Sequence, residues 1–249
     1  MNHKQISIQK VLHQYKLFYK NIGGGIDGYY EKVIVEADVY EIKKGSSLGC
    51  FTIHETRGLT SLIVYPKFKH MYDEIFNYVI ALPMVHTVLF TETDKDFMDC
   101  VIKHKFKYEV QSLNFLIDKR IVSDLEMVSV LQENHQELRS EFGDFIDYNE
   151  IDLTKTQAFY YKENGIYICF GALEPMILSE NRFCISMIVN EAYRNQQYGT
   201  KTIEFLIHYL QKHHCEANAR CYVENEVSRK TLIKSGMTRS NYLFKIDNL

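Results

Sequence analysis

Ser186-Met187-Ile188-Val189-Asn190-Glu191-Ala192-Tyr193-Arg194-Asn195-Gln196-Gln197-Tyr198-Gly199-Thr200 is the stretch whose reading decides the fold of this chain. Its first four residues form an apolar, strand-like run, the middle is a polar turn, and a helix is expected to open at about Gly199. Ile203, Leu206, Ile207 and Leu210 follow at the i, i+3, i+4, i+7 spacing of one buried helical face. A strand thus hands the chain to a helix N-terminus. The first turn of a helix carries unpaired N–H groups and the positive end of the macrodipole. With Arg194 beside it and Gly199 allowing close approach, the turn suits a phosphate. A polar strand-to-helix turn with no ligand has the same local pattern.

Outward from this stretch, strands are expected at 157–162, 166–173, 182–189, 217–223 and 242–246, and helices at 138–145, 199–213 and 226–235. Ser123 is a plausible N-cap for a further helix with Leu125, Val128 and Leu131 on one face. The charged segment 118–124 reads as an exposed linker. Before it, residues 5–20 have a helical pattern that stops at the glycine triplet 23–25, read as a loop. Strands at 33–40, 48–54, 59–65 and 87–90 follow, with a helix at 68–80 and another capped by Asp94. A last strand or hairpin covers 106–117.

The succession of elements occurs twice. Ser61-Leu62-Ile63-Val64 matches Ser186-Met187-Ile188-Val189, Val101-Ile102-Lys103 matches Leu232-Ile233-Lys234, and both halves end in Ile-Asp, at Ile117-Asp118 and Ile246-Asp247. This is an internal repeat of about 120 residues, which divides the chain into 1–120 and 121–249. At the offset that pairs the two Ser-x-Ile-Val strands, Gly199 falls opposite Glu74. A carboxylate at a helix start repels an anion, so only the second half is expected to hold a phosphate.

Composition narrows the function. The formal charge of −3 gives no general basic face for nucleic acid. No apolar run is long enough for a membrane span, and the N-terminus has no apolar leader, so a cytoplasmic location is expected. The six cysteines form no C-x-x-C pair, and Cys169, Cys184 and Cys221 lie in apolar runs as buried thiols of a reducing compartment. His213 and His214 are adjacent and point apart, so no metal is expected.

Residues 189–200 resemble the acetyl-CoA motif of the GNAT superfamily of N-acyltransferases. There a strand ending in Val leads to Arg or Gln, two residues, Gly, one residue, and Gly or Ala. Arg194 and Gly199 match, while Gln197 stands at the first glycine. Asn225-Glu226-Val227-Ser228, Leu232 and Gly236-Met237 are similar to the family's closing motif. The resemblance covers 121–249, and extends to 1–120 as a degenerate copy. It implies an α/β (α+β) fold of two GNAT-like halves, each a central mixed, mostly antiparallel sheet flanked by helices.

The resemblance also implies a cofactor site. The coenzyme A pyrophosphate would take N–H groups of Gln196, Gln197, Tyr198, Gly199 and Thr200, with Arg194 at the same turn. The pantetheine arm would pair with the backbone of Met187 and Val189 as an added strand, and Asn225 and Ser228 would reach the arm or nucleotide. The implied reaction is direct attack of an amine on the thioester of acetyl-CoA, which needs a base and an acid. The family's tyrosine acid falls at Leu232, which has no proton to give. Glu174, Tyr222 and Glu224 are the candidate catalytic residues, each with a plain structural reading as well. The expected activity is acetyl transfer to a small-molecule amine, with a homodimer allowed. The alternative is a non-catalytic acyl-CoA-binding or interaction module.

Overall fold

Strands and amphipathic helices build the chain, and the computed structural model describes residues 1–22 and 25–247. In order they are β1 (Asn2–Ile6), α1 (Leu12–Asn21), α2 (Gly28–Glu36), β2 (Asp38–Lys44), β3 (Ser46–His54), β4 (Gly58–Val64), α3 (Tyr72–Ile80), β5 (Thr87–Thr91), α4 (Lys95–Lys103) and β6 (Glu109–Leu116). Then come β7 (Val128–Ser129), α5 (His135–Tyr148), β8 (Gln157–Glu163), β9 (Ile166–Pro175), β10 (Arg182–Val189), α6 (Tyr198–Lys212), β11 (Glu216–Tyr222), α7 (Glu226–Lys234) and β12 (Thr238–Asp247). Gly23 and Gly24 of the expected glycine loop lie outside the described residues.

The chain forms two compact units. In the first, β1, β2, β3 and β4 pair antiparallel in succession and β4 meets β5 in parallel at Leu59↔Val88. In the second, β7, β8, β9 and β10 pair antiparallel in the same succession and β10 meets β11 in parallel. Helices α3 and α6 occupy equivalent crossovers, as do α4 and α7 after them. The repeat read from Ser61 and Ser186 is therefore a repeat of topology.

Membership of the units differs from a cut at residue 120. The first unit takes in 1–114, but also 177–179 and the chain's last strand. β12 pairs antiparallel with β5, from Leu243↔Thr91 to Asp247↔Thr87. Its Phe244 and Ile246 enter the first core beside Phe76, Phe90 and Phe97. Period-two alternation marks 242–246 as a strand but does not say which neighbour it finds. The second unit holds the core of Leu138, Phe142, Ile146, Phe170 and Ala172 on one sheet face. On the other lies α6, with Ile203, Leu206, Ile207 and Leu210 buried as their spacing predicts.

Four local expectations are corrected. Residues 33–36 belong to α2: Asp27 caps it by accepting the Tyr30 N–H at 2.8 Å, and Tyr30, Val33 and Ile34 are buried on one helical face. Capping and packing override the β-branched run Val33-Ile34-Val35. The helix expected over 5–20 begins only at Leu12, because residues 2–6 pair with β2. The Ser123 helix is absent; Ser123 instead forms a local turn with Leu125, and Val128 enters β7. The linker is held on α6, where Gln211 bonds Ile121 N and Lys119 O, and the Ile121 carbonyl bonds His208.

Asp94 caps α4 as expected, accepting the Phe97 N–H at 3.3 Å. Burial pushes its carboxyl up to about 7. A folded-state value above the unfolded one means that stability is full below about pH 4 and falls as pH rises through about 7. Asp94→Asn keeps the cap acceptor and removes the buried charge. The variant is expected to gain on the order of 3 kcal/mol over the parent at pH 8, and little at pH 4, in urea titrations at the two pH values.

Candidate active site

The site is built where β10 leaves β11. On one side β10 stays paired with β9 from Phe183↔Pro175 to Val189↔Cys169. On the other, the parallel ladder runs only through Arg182↔Glu216, Phe183↔Ala217 and Cys184↔Asn218. From Ile185 to Val189, β10 keeps only its β9 neighbour among the described residues. The strands thus part beyond Cys184 and Asn218, and the half-buried Met187 and Val189 lie along the opening.

At the open end, Asn190 turns the chain. Its side chain accepts the Ala192 N–H at 3.1 Å and donates to the Tyr167 carbonyl at 3.3 Å and to Glu141. Gln197, at the family's first glycine position, has φ of +68°. That left-handed conformation explains the glycine elsewhere and costs a side-chain-bearing residue roughly 1 kcal/mol. Gln197 gives α6 no side-chain cap, and the first helical bond shown there is Lys201 N–H onto Gln197 O at 3.0 Å. The N–H groups of Tyr198, Gly199 and Thr200 precede it, as an anion site at a helix start requires.

Gly199 also has a packing role. A Cβ there would lie 3.2 Å from Met187 Cε and 3.3 Å from Thr231 Cγ2, so the missing side chain lets α6 pack onto β10 and α7. Arg194 is exposed, ion-pairs with Glu191 at 2.9 Å, and places Nε 3.4 Å from the Val189 carbonyl. The Gln196 amide donates to Ala192 O at 3.4 Å. The Tyr198 ring stacks on Tyr161, with its hydroxyl toward Glu163 at 3.4 Å.

Asn225 caps α7 by accepting the Ser228 N–H at 3.0 Å, so that motif has a structural task whether or not it touches a ligand. Leu232, at the tyrosine position, is buried. Tyr222 and exposed Glu224 stand at the far end of β11, next to Asn225. The Tyr222 ring lies under the Arg220 guanidinium at 4.4 Å, and its hydroxyl is 3.4 Å from that of Tyr148.

Glu174 is placed differently. Phe170 and Ala172 of β9 face the α5 core, whereas Thr202 of α6 bonds Cys169 and a Cβ on Gly171 would strike Leu206. Alternation puts Glu174 on the α5 face. Cys184 is its cross-strand partner, and Asn218 is the partner of Cys184. Glu174, Cys184 and Asn218 therefore form a row on one face at the closed end of the opening. No local pattern points to Asn218, because the row exists only through register.

The first unit closes the corresponding places. Its α3 is entered directly from a 3-10 helix at Pro66–Met71, and Asp73 and Glu74 stand in the first turn. Glu74 pairs with Lys44 at 2.8 Å, and Asp73 with Lys103 at 2.8 Å and His104 at 2.7 Å. Where β4 and β5 part, the buried Tyr30 hydroxyl donates to Thr60 O at 2.6 Å and has Leu89 O at 3.2 Å. Ser61, the counterpart of Ser186, bonds Tyr15 at 3.0 Å and Thr52 at 2.6 Å.

Cys50, Cys100, Cys169 and Cys221 are buried, Cys184 and Cys215 half-buried, and all six are free thiols. Among the described residues no group of three or more His, Cys, Asp or Glu is arranged to hold a metal, and no helix is long and apolar enough to cross a membrane.

A parallel strand pair joined through a helix occurs in both units. Residues 7–118 match the family described as acetyltransferase (GNAT) domain, and residues 125–237 match the acetyltransferase (GNAT) family. The chain belongs to the GNAT superfamily, with two GNAT domains in tandem. A GNAT-family acetyltransferase from Colwellia psychrerythraea is similar in fold at 14% identity, covering 100% of both chains with a TM-score of 0.88. A tandem GNAT protein from the clavulanic acid biosynthesis pathway superposes at 9% identity over 99% of this chain and 98% of its own, TM-score 0.61. A GCN5-related N-acetyltransferase from Sphaerobacter thermophilus does so at 10% identity over 85% and 81%, TM-score 0.55. A search of curated proteins finds no match.

Proposed function

We propose that this GNAT protein transfers an acetyl group from acetyl-CoA to the primary amine of a small molecule, and that the second unit carries the reaction. The observation that carries this is the parting of β10 from β11 beyond Cys184 and Asn218, with the α6 N-terminus at its open end. From Val189 to Ile185 the edge spans about 13 Å, which suits an extended arm with two amide groups. Those amides add to the backbone of Met187 and Val189. The pyrophosphate takes the N–H groups of residues 196–200 and the charge of Arg194.

The thioester then reaches the closed end, where Glu174 shares a face with Cys184 and Asn218. Glu174 receives the proton of the attacking ammonium, and the free amine adds directly to the thioester carbon. Leu232 supplies no proton, so the second amine proton, released as the amide forms, passes through water to the departing thiolate. Tyr222 and Glu224, at the open end, belong with the arm and nucleotide rather than the chemistry. The first unit, with Tyr30 between its parted strands and carboxylates at its helix start, takes no coenzyme. Six free thiols agree with work in a reducing cytoplasm.

Isothermal titration with acetyl-CoA tests the cofactor half of this reading. One site per chain is expected, and Arg194→Ala is expected to weaken binding about tenfold, the loss of one charge-assisted contact. Two sites, or an unchanged Kd in the variant, would refute it. Leu232 favours a second reading, a non-catalytic acyl-CoA-binding module. Thiol release from acetyl-CoA across a library of amines decides between them, since turnover with any amine removes the second.

A further inference from the structure

The pyrophosphate loop carries its own anion. Within the turn that follows β10, the Glu191 carboxylate sits 2.9 Å from Arg194 Nη1, three residues along the chain, and both side chains are exposed. The same guanidinium points Nε at the Val189 carbonyl, 3.4 Å away. Arg194 is thus turned toward the end of β10, onto a backbone acceptor that the substrate arm would use and a carboxylate standing where a phosphate would be attracted. Asn190 fixes the start of this turn through Ala192, Tyr167 and Glu141, so Glu191 is held at the place where it meets Arg194.

From this we infer that Glu191 is an affinity-setting residue: an internal stand-in for the substrate phosphate that occupies Arg194 until acyl-CoA displaces it. The inference rests on the assignment of α6 as the coenzyme A site. Binding exchanges one ion pair for another, so the net gain from Arg194 is smaller than a free guanidinium would provide. The exchange also releases the Val189 carbonyl at the moment the arm arrives. In the first unit Lys69, at the position of Arg194, pairs not within its own turn but with Asp96 of α4, at 2.7 Å.

A double-mutant cycle read by titration with acetyl-CoA at fixed ionic strength tests this. Glu191→Gln keeps the side chain's size and hydrogen-bonding oxygen but removes its charge. It is expected to lower Kd about two- to fivefold in the parent, the range of an exposed ion pair. In the Arg194→Ala background the same substitution is expected to leave Kd unchanged. Equal tightening in both backgrounds would mean that Glu191 merely repels phosphate, and would overturn the inference. So would no tightening in the parent while Arg194→Ala still weakens binding, a result that leaves the coenzyme A site standing. Arg194→Ala with no effect on Kd would overturn both.

Discussion

Glu174→Gln is expected to lower kcat by about 10²- to 10³-fold while the KM for acetyl-CoA stays within about twofold, the signature of a lost general base. The substitution keeps the shape of the side chain and removes only its capacity to take a proton. Of the three candidate catalytic residues, Glu174 alone stands at the closed end of the β10–β11 opening, across from Cys184. Tyr222→Phe and Glu224→Gln, at the open end, are expected to change kcat by less than about threefold, as befits groups outside proton transfer. Steady-state thiol release with a saturating amine checks all three. Full kcat in Glu174→Gln, or a large loss in either of the others, would move the base elsewhere.

The largest loss of stability is expected in the first unit, at Glu31. Its side chain is 4% exposed and its carboxylate accepts the N–H groups of Ile177 and Leu178, the latter at 2.8 Å. Bonds to a buried charge are stronger than neutral ones, and truncation strands the donors left behind. Glu31→Ala is expected to cost about 3 kcal/mol, with a melting temperature lower by roughly 10 °C for a chain of this size. Glu31→Gln, which keeps one accepting oxygen, should recover part of the loss. Urea and thermal unfolding measure both variants. A cost under about 1 kcal/mol in Glu31→Ala would show that the loop at 177–179 is held by packing alone.

Much of the second unit was legible from pattern. β8 to β11 and α6 follow from strand alternation and the apolar stripe of α6, each a local signal that tertiary packing reinforces. The repeat was legible because Ser61 and Ser186 begin matching stretches of equivalent strands. α2 was not, since its β-branched run favours a strand while the Asp27 cap and one buried face decide for a helix. The α6 loop could be recognised by turn chemistry and resemblance. The face on which Glu174 meets Cys184 and Asn218 depends on two strand registers, β9 with β10 and β10 with β11, which no single stretch encodes. The packing of Gly199 against Met187 and Thr231 was not legible, because sequence shows where a side chain is missing but not what fills the space.

The pairing of β12 with β5 also sets a timetable. A chain emerging from the ribosome usually completes its N-terminal domain while the rest is still being made. Here the first unit's sheet lacks a strand until residues 240–247 exist, although β1 to β5 are finished by residue 91. At about 5–20 residues per second, the open edge of β5 waits on the order of 10 s for its partner. The second unit must therefore be synthesised before the first can close, so the second GNAT domain is made ahead of the final step in assembling the first.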